Sequence, residues 1–240
     1  MSRFFVPLVL AVSALAVLPA AAQGPDLRPK IMVTGEGEAR ISPDMAIIAL
    51  AVMREGETAR EAMDENNAAM AAVIAALKEE GIEARDLQTS GLSIDPQYVY
   101  PNNNNGEEKP RITGYRVTNT LTVRVRDLEN VGEILDRSVS LGVNQGGNIT
   151  FTNDNPSEAL SQARTRAVED AVAKARTLAE AAGVSLGDVL QLSEQSAPPP
   201  RPLAAPVMRM EAAADKAVPV ETGENTYSVQ VNVTFEIGQE

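Results

Sequence analysis

The chain has 240 residues and a formal net charge of −12 at pH 7, and it contains no cysteine and no histidine. Disulfides, cysteine-linked lipid anchors, Ser-His-Asp and Cys-His catalysis and histidine-based zinc sites are therefore excluded. The negative charge argues against nucleic acid and anionic lipid as partners.

Residues 1–22 have the pattern of a cleavable export signal. Arg3 supplies a positive start, an uncharged apolar run follows, and three consecutive alanines offer small residues to a signal peptidase. The apolar run is shorter than the roughly 20 residues that a membrane-spanning helix needs, and Pro19 ends it. We therefore predict an exported protein that begins at Gln23, has no integral membrane segment after cleavage, and opens with a short segment at residues 23–29.

Two strands are predicted next. Residues 31–41 alternate small or apolar side chains with polar ones, which is the period of a half-buried strand. Residues 45–53 are apolar on both faces. This second strand is therefore predicted to be covered on both sides, either by helices and sheet or by a neighbouring subunit.

A capping box opens the first predicted helix. Thr58 can accept a hydrogen bond from the Glu61 amide while the Glu61 carboxylate reaches back. Gly81 can adopt the left-handed conformation that ends the helix. An apolar stripe marks the buried face, and Asn66 with the asparagine after it interrupts that stripe.

A long hairpin follows the helix. Residues 89–100 and 114–126 are predicted strands, joined by a polar, turn-rich loop at residues 101–106. Apolar and polar side chains alternate in the second strand, which indicates one solvated face. A short helix beginning at Asp127 and a strand at residues 148–151 come next.

The longest predicted helix begins after Asn155 and Pro156. A narrow stripe of mostly small residues suits close approach to a sheet or another helix. Arg166, Asp170 and Lys174 form a ladder of charges outside that stripe. The stripe consists of Leu160, Ala163, Ala167, Ala171, Leu178 and Ala182.

The C-terminal part combines two strands with a proline-rich insertion. A short strand is predicted at residues 189–192, and residues 227–237 show the cleanest alternation in the chain. Residues 197–224 hold six prolines, which predicts a mobile or extended linker. Because loop closure depends only weakly on loop length, the two strands are predicted to pair. The element order indicates an α+β fold with helices packed on largely antiparallel sheet.

Few residues qualify as candidates for chemistry. Gly35 and Gly37 lack the third glycine of a dinucleotide fingerprint and open no helix, so a bulge or close backbone contact is the preferred interpretation. Glu36 and Glu38 share a strand face, as glycosidase carboxylates can, but nothing selects them among 33 acidic residues. Asp44 most simply makes a turn.

Two further candidates are an arginine and a methionine pair. Arg116 can bind an anion, although a surface role is favoured. Met208 and Met210 carry thioethers that can be oxidised or bind Cu(I), yet two thioethers alone make a weak metal site. We therefore predict no catalytic, cofactor-binding or metal-binding residues and no cofactor.

Several separated motifs together resemble the SIMPL-domain (DUF541) family of bacterial exported proteins. They occur in the family's order, and the likeness spans residues 30–237. The motifs are Gly35-Glu36-Gly37 with Pro43-Asp44, Gln88-Thr89-Ser90-Gly91, Pro96-Gln97-Tyr98, Gly114-Tyr115-Arg116, and residues 167–175 with Lys174.

The resemblance implies a periplasmic α+β protein that forms ring-like or channel-like homo-oligomers and is linked to envelope physiology and oxidative stress. It implies no reaction and supplies no catalytic residues. On this basis, residues 30–240 are predicted to form one SIMPL-like domain that carries the insertion at residues 197–224.

The sequence is compatible with three functions. The leading hypothesis is a non-enzymatic, self-assembling protein whose subunits meet through Ile47, Leu50 and the last helix. The second is a binding or chaperone-like adaptor for other envelope proteins, with residues 197–224 and 101–110 as contact loops. The third is a hydrolase that uses carboxylates, for which the sequence offers no selectable pair.

Overall fold

The computed structural model describes residues 28–100, 109–195 and 218–238, together with the backbone of residues 201–203. The predicted export signal, the loop at residues 101–106, Met208, Met210 and most of the proline-rich insertion lie outside these ranges.

Over the described residues the chain forms eight strands and three α-helices, which confirms the predicted α+β class. In chain order they are β1 (Lys30–Ile41), β2 (Met45–Gly56), α1 (Ala59–Glu79), β3 (Leu87–Val99), β4 (Arg111–Val125), α2 (Val131–Ser140), β5 (Gln145–Thr152), α3 (Ser157–Ala182), β6 (Ser185–Gln195), β7 (Arg201–Leu203) and β8 (Glu224–Gly238).

The strands form two four-stranded antiparallel sheets. Sheet A has the order β1-β8-β6, with β7 also paired to β8, and sheet B has the order β3-β4-β2-β5. The predicted pairing of the last strand with the strand before the insertion is confirmed, with Gln195 opposite Gln230. β6 extends beyond the strand predicted at residues 189–192. The predicted strand is too short because most side chains of β6 are exposed, so the sequence shows no clear alternation there.

Sheet B buries large aliphatic side chains beneath α1 and α2. Leu50 belongs to this core, and Val220, near the end of the predicted insertion, packs against it. On the opposite face of β2, Ile47 and Met53 remain partly exposed. Met45 and Ala51, on that same opposite face, are buried. The prediction of cover on both faces is therefore confirmed for the helix side and only in part for the other. The central residues of this core are Ile48, Leu50, Val52, Val73, Leu77, Leu121, Val123 and Ile134.

Sheet A packs against α3 through small residues. A Cβ atom at Gly35 would lie 2.0 Å from the carbonyl oxygen of Ala167, and one at Gly37 would lie 2.1 Å from that of Ala163. The backbones of β1 and α3 are thus in direct contact, which confirms the close approach predicted for these glycines. Gly183, with φ of 67°, ends the helix in the left-handed conformation.

A buried asparagine joins the two sheets. The Nδ2 atom of Asn153, just after β5, donates to the Ser42 carbonyl between β1 and β2 at 2.7 Å. Its Oδ1 atom accepts from Asn225 Nδ2 at 3.0 Å and from the Tyr227 hydroxyl at 3.1 Å, both on β8. Burial raises the pKa of Tyr227. These bonds tie the end of sheet B to sheet A.

Candidate functional site

The edge strands of the two sheets differ in whether their free backbone groups are blocked. An unpaired edge strand presents N–H and C=O groups that can pair with another chain, and proteins usually block such edges. The outer strands of sheet A are β1, on one side of β8, and β6 with the short β7, which are the other partners of β8; those of sheet B are β3 and β5.

Side chains of α3 block the edge of β1. Arg166, Asp170 and Lys174, here called the α3 ladder, lie at four-residue spacing along one side of the helix. Lys174 Nζ donates to the carbonyl of Thr34 at 3.0 Å. The backbone N–H of Glu36 donates to Asp170 Oδ2 at 2.8 Å. The free side of β1 is therefore hydrogen-bonded to its own chain.

Two further contacts complete the α3 ladder. Arg166 donates to the carbonyl of Glu38, and Lys174 lies 2.7 Å from Asp170. The Lys174 ammonium and, to a smaller extent, the Glu36 N–H hold the pKa of Asp170 below its usual value. The ladder therefore keeps the charge that its hydrogen bonds require at neutral pH.

The edge at β3 carries apolar side chains that face solvent. Of its 13 residues, only Leu87 and Gln97 are partly buried. Leu92 is 56% exposed and Ile94 is 46% exposed. Half of the exposed large apolar side chains of the described residues belong to this hairpin: Leu92, Ile94, Tyr98, Val99, Tyr100 and Ile112.

The exposure at β3 has a geometric cause. Ile94 lies opposite the fully buried Val117, so it points to the helix side of the sheet. The helix α1 packs mainly on β2 and β4 and leaves most of β3 uncovered. At residues 111–114, N-terminal to Tyr115, β4 no longer pairs with β2 and pairs with β3 alone. We call residues 92–100 and 111–114 the hairpin arm.

β6 is exposed in the same way in sheet A. Val189 is 52% exposed and Leu192 is 51% exposed. They lie opposite Phe235 and Val233, which are buried beneath α3. Both side chains are therefore on the helix side of the sheet, beyond the cover that α3 provides.

The predicted polar candidates have structural partners. Glu36 accepts a hydrogen bond from Gln230 at 3.1 Å on the solvated face of β1. Asp44 Oδ1 accepts from the Asp154 N–H at 2.8 Å, which fits its predicted turn role. Arg116 lies 2.7 Å from Glu55 and, with Gln97, lowers the pKa of that carboxyl. Arg116 is thus engaged in an ion pair.

The contact residues predicted for self-assembly need correction. Leu50 is buried under the helices of its own chain, and Ala163, Ala167 and Ala171 of the α3 stripe are fully buried against sheet A, so these residues do not reach the surface. Leu178 of the stripe is 50% exposed, and Ile47 on β2 is partly exposed, so these two remain accessible to a neighbouring subunit.

Sequence reasoning missed Leu92, Ile94, Val189 and Leu192. One signal was present, because β3 holds a single charged residue, Asp95, and no lysine. Charged residues, lysine above all, are the usual means of protecting an edge strand. That signal became readable only once the strand order showed that β3 is an edge.

Within residues 28–100, 109–195 and 218–238, no helix combines the length and hydropathy needed to cross a membrane. No cluster of three or more histidine, cysteine, aspartate or glutamate side chains is arranged to hold a metal ion there.

Comparison with known proteins gives relatives over most of the chain. The 26 kDa periplasmic immunogenic protein of Brucella melitensis biotype 1 is 57% identical over 211 residues, which cover 87% of this chain and 84% of the relative. Its namesake in Brucella abortus strain S19 matches equally well. The uncharacterized protein YggE of Escherichia coli strain K12 is 28% identical over 239 residues, 95% of this chain and 93% of the relative.

A family model agrees with these relatives. The SIMPL model, described as a protein of unknown function (DUF541), matches residues 31–235. The match includes α1, α2 and α3 and the two exposed edge strands, β3 and β6. The chain therefore belongs to the SIMPL family.

Proposed function

We propose that this chain is an exported, non-enzymatic protein of the bacterial periplasm that assembles into a higher-order homo-oligomer. The observation that carries the proposal is the hairpin arm, which exposes large apolar side chains on both of its faces. A concentration of exposed large apolar side chains on one element often marks an interface.

The arm is poorly suited to remain uncovered. Tyr98 and Ile112 lie opposite each other on one face, while Leu92 and Ile94 lie on the other. The end of the arm, residues 97–99 and 111–114, is a two-stranded ribbon, which gains little stability alone and needs packing on at least one face. Every copy of the chain carries the same apolar arm, so a second copy is always present to cover it.

The periplasmic location is supported by two observations. Residues 1–22 have the pattern of an export signal. The relatives from Brucella carry the word periplasmic in their names.

The non-enzymatic assignment is supported by the chain's side-chain chemistry. The sequence has no histidine or cysteine, and the carboxylates whose pKa is lowered, Glu55 and Asp170, are held by Arg116 and Lys174. These ion pairs explain the shifts without a catalytic role.

The primary test is the molar mass of the chain from residue 23 onward, measured by light scattering after size exclusion at low and high salt. We expect one discrete mass of several subunits that survives high salt, because apolar contacts are not screened. A single-subunit mass at micromolar concentration contradicts the proposal and favours the adaptor function, most of whose loop residues lie outside the described ranges.

A substitution in the arm tests the surface. Ile94→Lys places a charge in the apolar patch, and we expect association to weaken by at least about tenfold. Val139→Lys is the matched control, since Val139 is 63% exposed on α2 and lies outside the arm. Equal masses for the two variants would remove the arm from the interface.

The role of the assembly in envelope physiology or oxidative stress, implied by the family resemblance, is proposed as a consequence of assembly. A strain that lacks the chain is expected to lose peroxide tolerance and to regain it with the native sequence but not with Ile94→Lys. Equal rescue by both sequences would separate that role from assembly.

A further inference from the structure

The two open edges differ in position but match in chemistry. β3 has 13 residues and β6 has 11, and nearly all of them are exposed. Each presents two large apolar side chains on the helix side of its sheet, Leu92 and Ile94 on β3 and Val189 and Leu192 on β6. Each lies just beyond the helix that covers the rest of its sheet.

From this match we infer that β3 of one copy pairs with β6 of the next, so that subunits join head to tail through a continuous sheet. The inference rests on the proposed self-assembly and specifies its surface. Pro96 cannot donate a backbone hydrogen bond, so the pairing segment of β3 lies N-terminal to it, at residues 88–95.

Pairing covers both apolar sets with one contact. Neighbouring strands lie about 4.8 Å apart, and side chains on the same face of adjacent strands touch. With the helices of both copies on one side, Ile94 and Leu92 lie beside Val189 and Leu192, in the gap between α1 of one copy and α3 of the next. The pairing therefore buries side chains that each chain leaves exposed.

The other edges are less suited to this role. β1 is blocked by the α3 ladder. β5 has only eight residues, and Gly146 and Gly147 have φ of 100° and 91°, outside the range of a regular strand.

β3 and β6 have no such ladder. Among the described side chains, none bonds to the backbone of β6, and the hydrogen bond that Thr113 donates to the Gln97 carbonyl of β3 comes from the neighbouring strand β4.

Head-to-tail pairing also explains how an assembly of more than two subunits forms. Pairing of β3 with β3 would be self-complementary, would end at a dimer and would leave Val189 and Leu192 uncovered. Pairing of β3 with β6 leaves one open β3 and one open β6 on every growing assembly. Subunits are then added until the two ends meet.

A mixing experiment tests the inference. Ile94→Lys disables β3 and keeps β6, whereas Leu192→Lys disables β6 and keeps β3. Each variant alone is expected to be a single subunit by light scattering, and an equimolar mixture is expected to give a one-to-one dimer and nothing larger. Val139→Lys should keep the native mass. Circular dichroism and the thermal midpoint establish that each variant is folded.

The outcomes separate the inference from the proposed function. If Leu192→Lys alone keeps the native mass, or if the mixture stays at the mass of one subunit, head-to-tail pairing is wrong while native self-assembly stands. If the native chain is itself a single subunit, the proposed function fails first.

Backbone hydrogen exchange gives a second readout that does not depend on these substitutions folding well. Amides in residues 88–95 and 185–195 are expected to exchange at least about tenfold more slowly in the native assembly than in dilute, dissociated protein. Amides of β1 and β5 should not change. Protection confined to β3, with β6 unchanged, would overturn the inference.

Discussion

The edges at β1 and β3 show two treatments of the same structural problem. At β1, glycines bring α3 into contact with the strand, so that Lys174 and Asp170 reach its free backbone groups. At β3, the helix lies over the large aliphatic side chains of β2 and β4 and stops short of the edge. Small residues at a helix–sheet contact allow a helix to close an edge, and large residues leave it open.

The largest effect is expected from a substitution that pushes α3 away from β1. Gly35→Ala places a methyl group 2.0 Å from the Ala167 carbonyl, and we expect a loss of about 1–3 kcal/mol in the free energy of unfolding. Gly91→Ala is the matched control on β3, because its nearest neighbours are 3.8 Å away. It should change stability by no more than about 0.5 kcal/mol in urea unfolding. Equal losses would show that the close contact does not matter.

A milder change opens the β1 edge without disturbing the packing. Asp170→Ala combined with Lys174→Ala frees the Glu36 N–H and the Thr34 carbonyl. We expect larger and less uniform assemblies by light scattering, because a second edge in sheet A becomes available. The exposed pair Arg60 and Asp64, 3.9 Å apart on α1, supplies the control double substitution. The ladder would have no blocking role if both double variants gave the native mass.

The smallest expected effect is a pH dependence. The pKa of Asp170 is lowered in the folded chain by Lys174 and the Glu36 N–H. The stabilisation from Asp170 is therefore fully present above its unfolded pKa of about 3.9 and is lost as the pH falls through the lower folded value. The difference in unfolding free energy between the native chain and Asp170→Asn should be constant from pH 7 to about pH 5 and vanish at strongly acid pH. A difference that persists at low pH would assign the effect to shape.

Local features were readable because they depend on residues close in the chain. The capping role of Thr58 is confirmed, with its hydroxyl accepting from the Glu61 N–H at 3.2 Å. The strands that alternate most clearly, β1 and β8, were placed to within a few residues. Alternation is clear there because α3 buries one face of each strand and solvent wets the other.

Features that depend on distant residues were read only in part. Asn66 was noted as an interruption of the apolar stripe, but its bonds to the carbonyls of Val52 at 2.7 Å and Val117 at 3.1 Å join a helix to two strands. The α3 ladder was recognised by its spacing, while its partners on β1 lie more than 120 residues away. A spacing identifies a face of a helix and does not name what that face meets.

Local patterns were enough to predict the α+β class, the pairing of the last strand with the strand before the insertion, the capped start of α1 and the close contact at Gly35, because each follows from periodicity, capping or the size of a side chain. The helix predicted to begin at Asp127 opens instead with a 3-10 turn at Leu128–Asn130, and α2 begins at Val131. Long-range packing is what makes β3 and β6 edges, places Leu50 in the interior and lets the α3 ladder block β1. Strand order sets which apolar residues remain exposed, and that order results from long-range packing that no local pattern encodes.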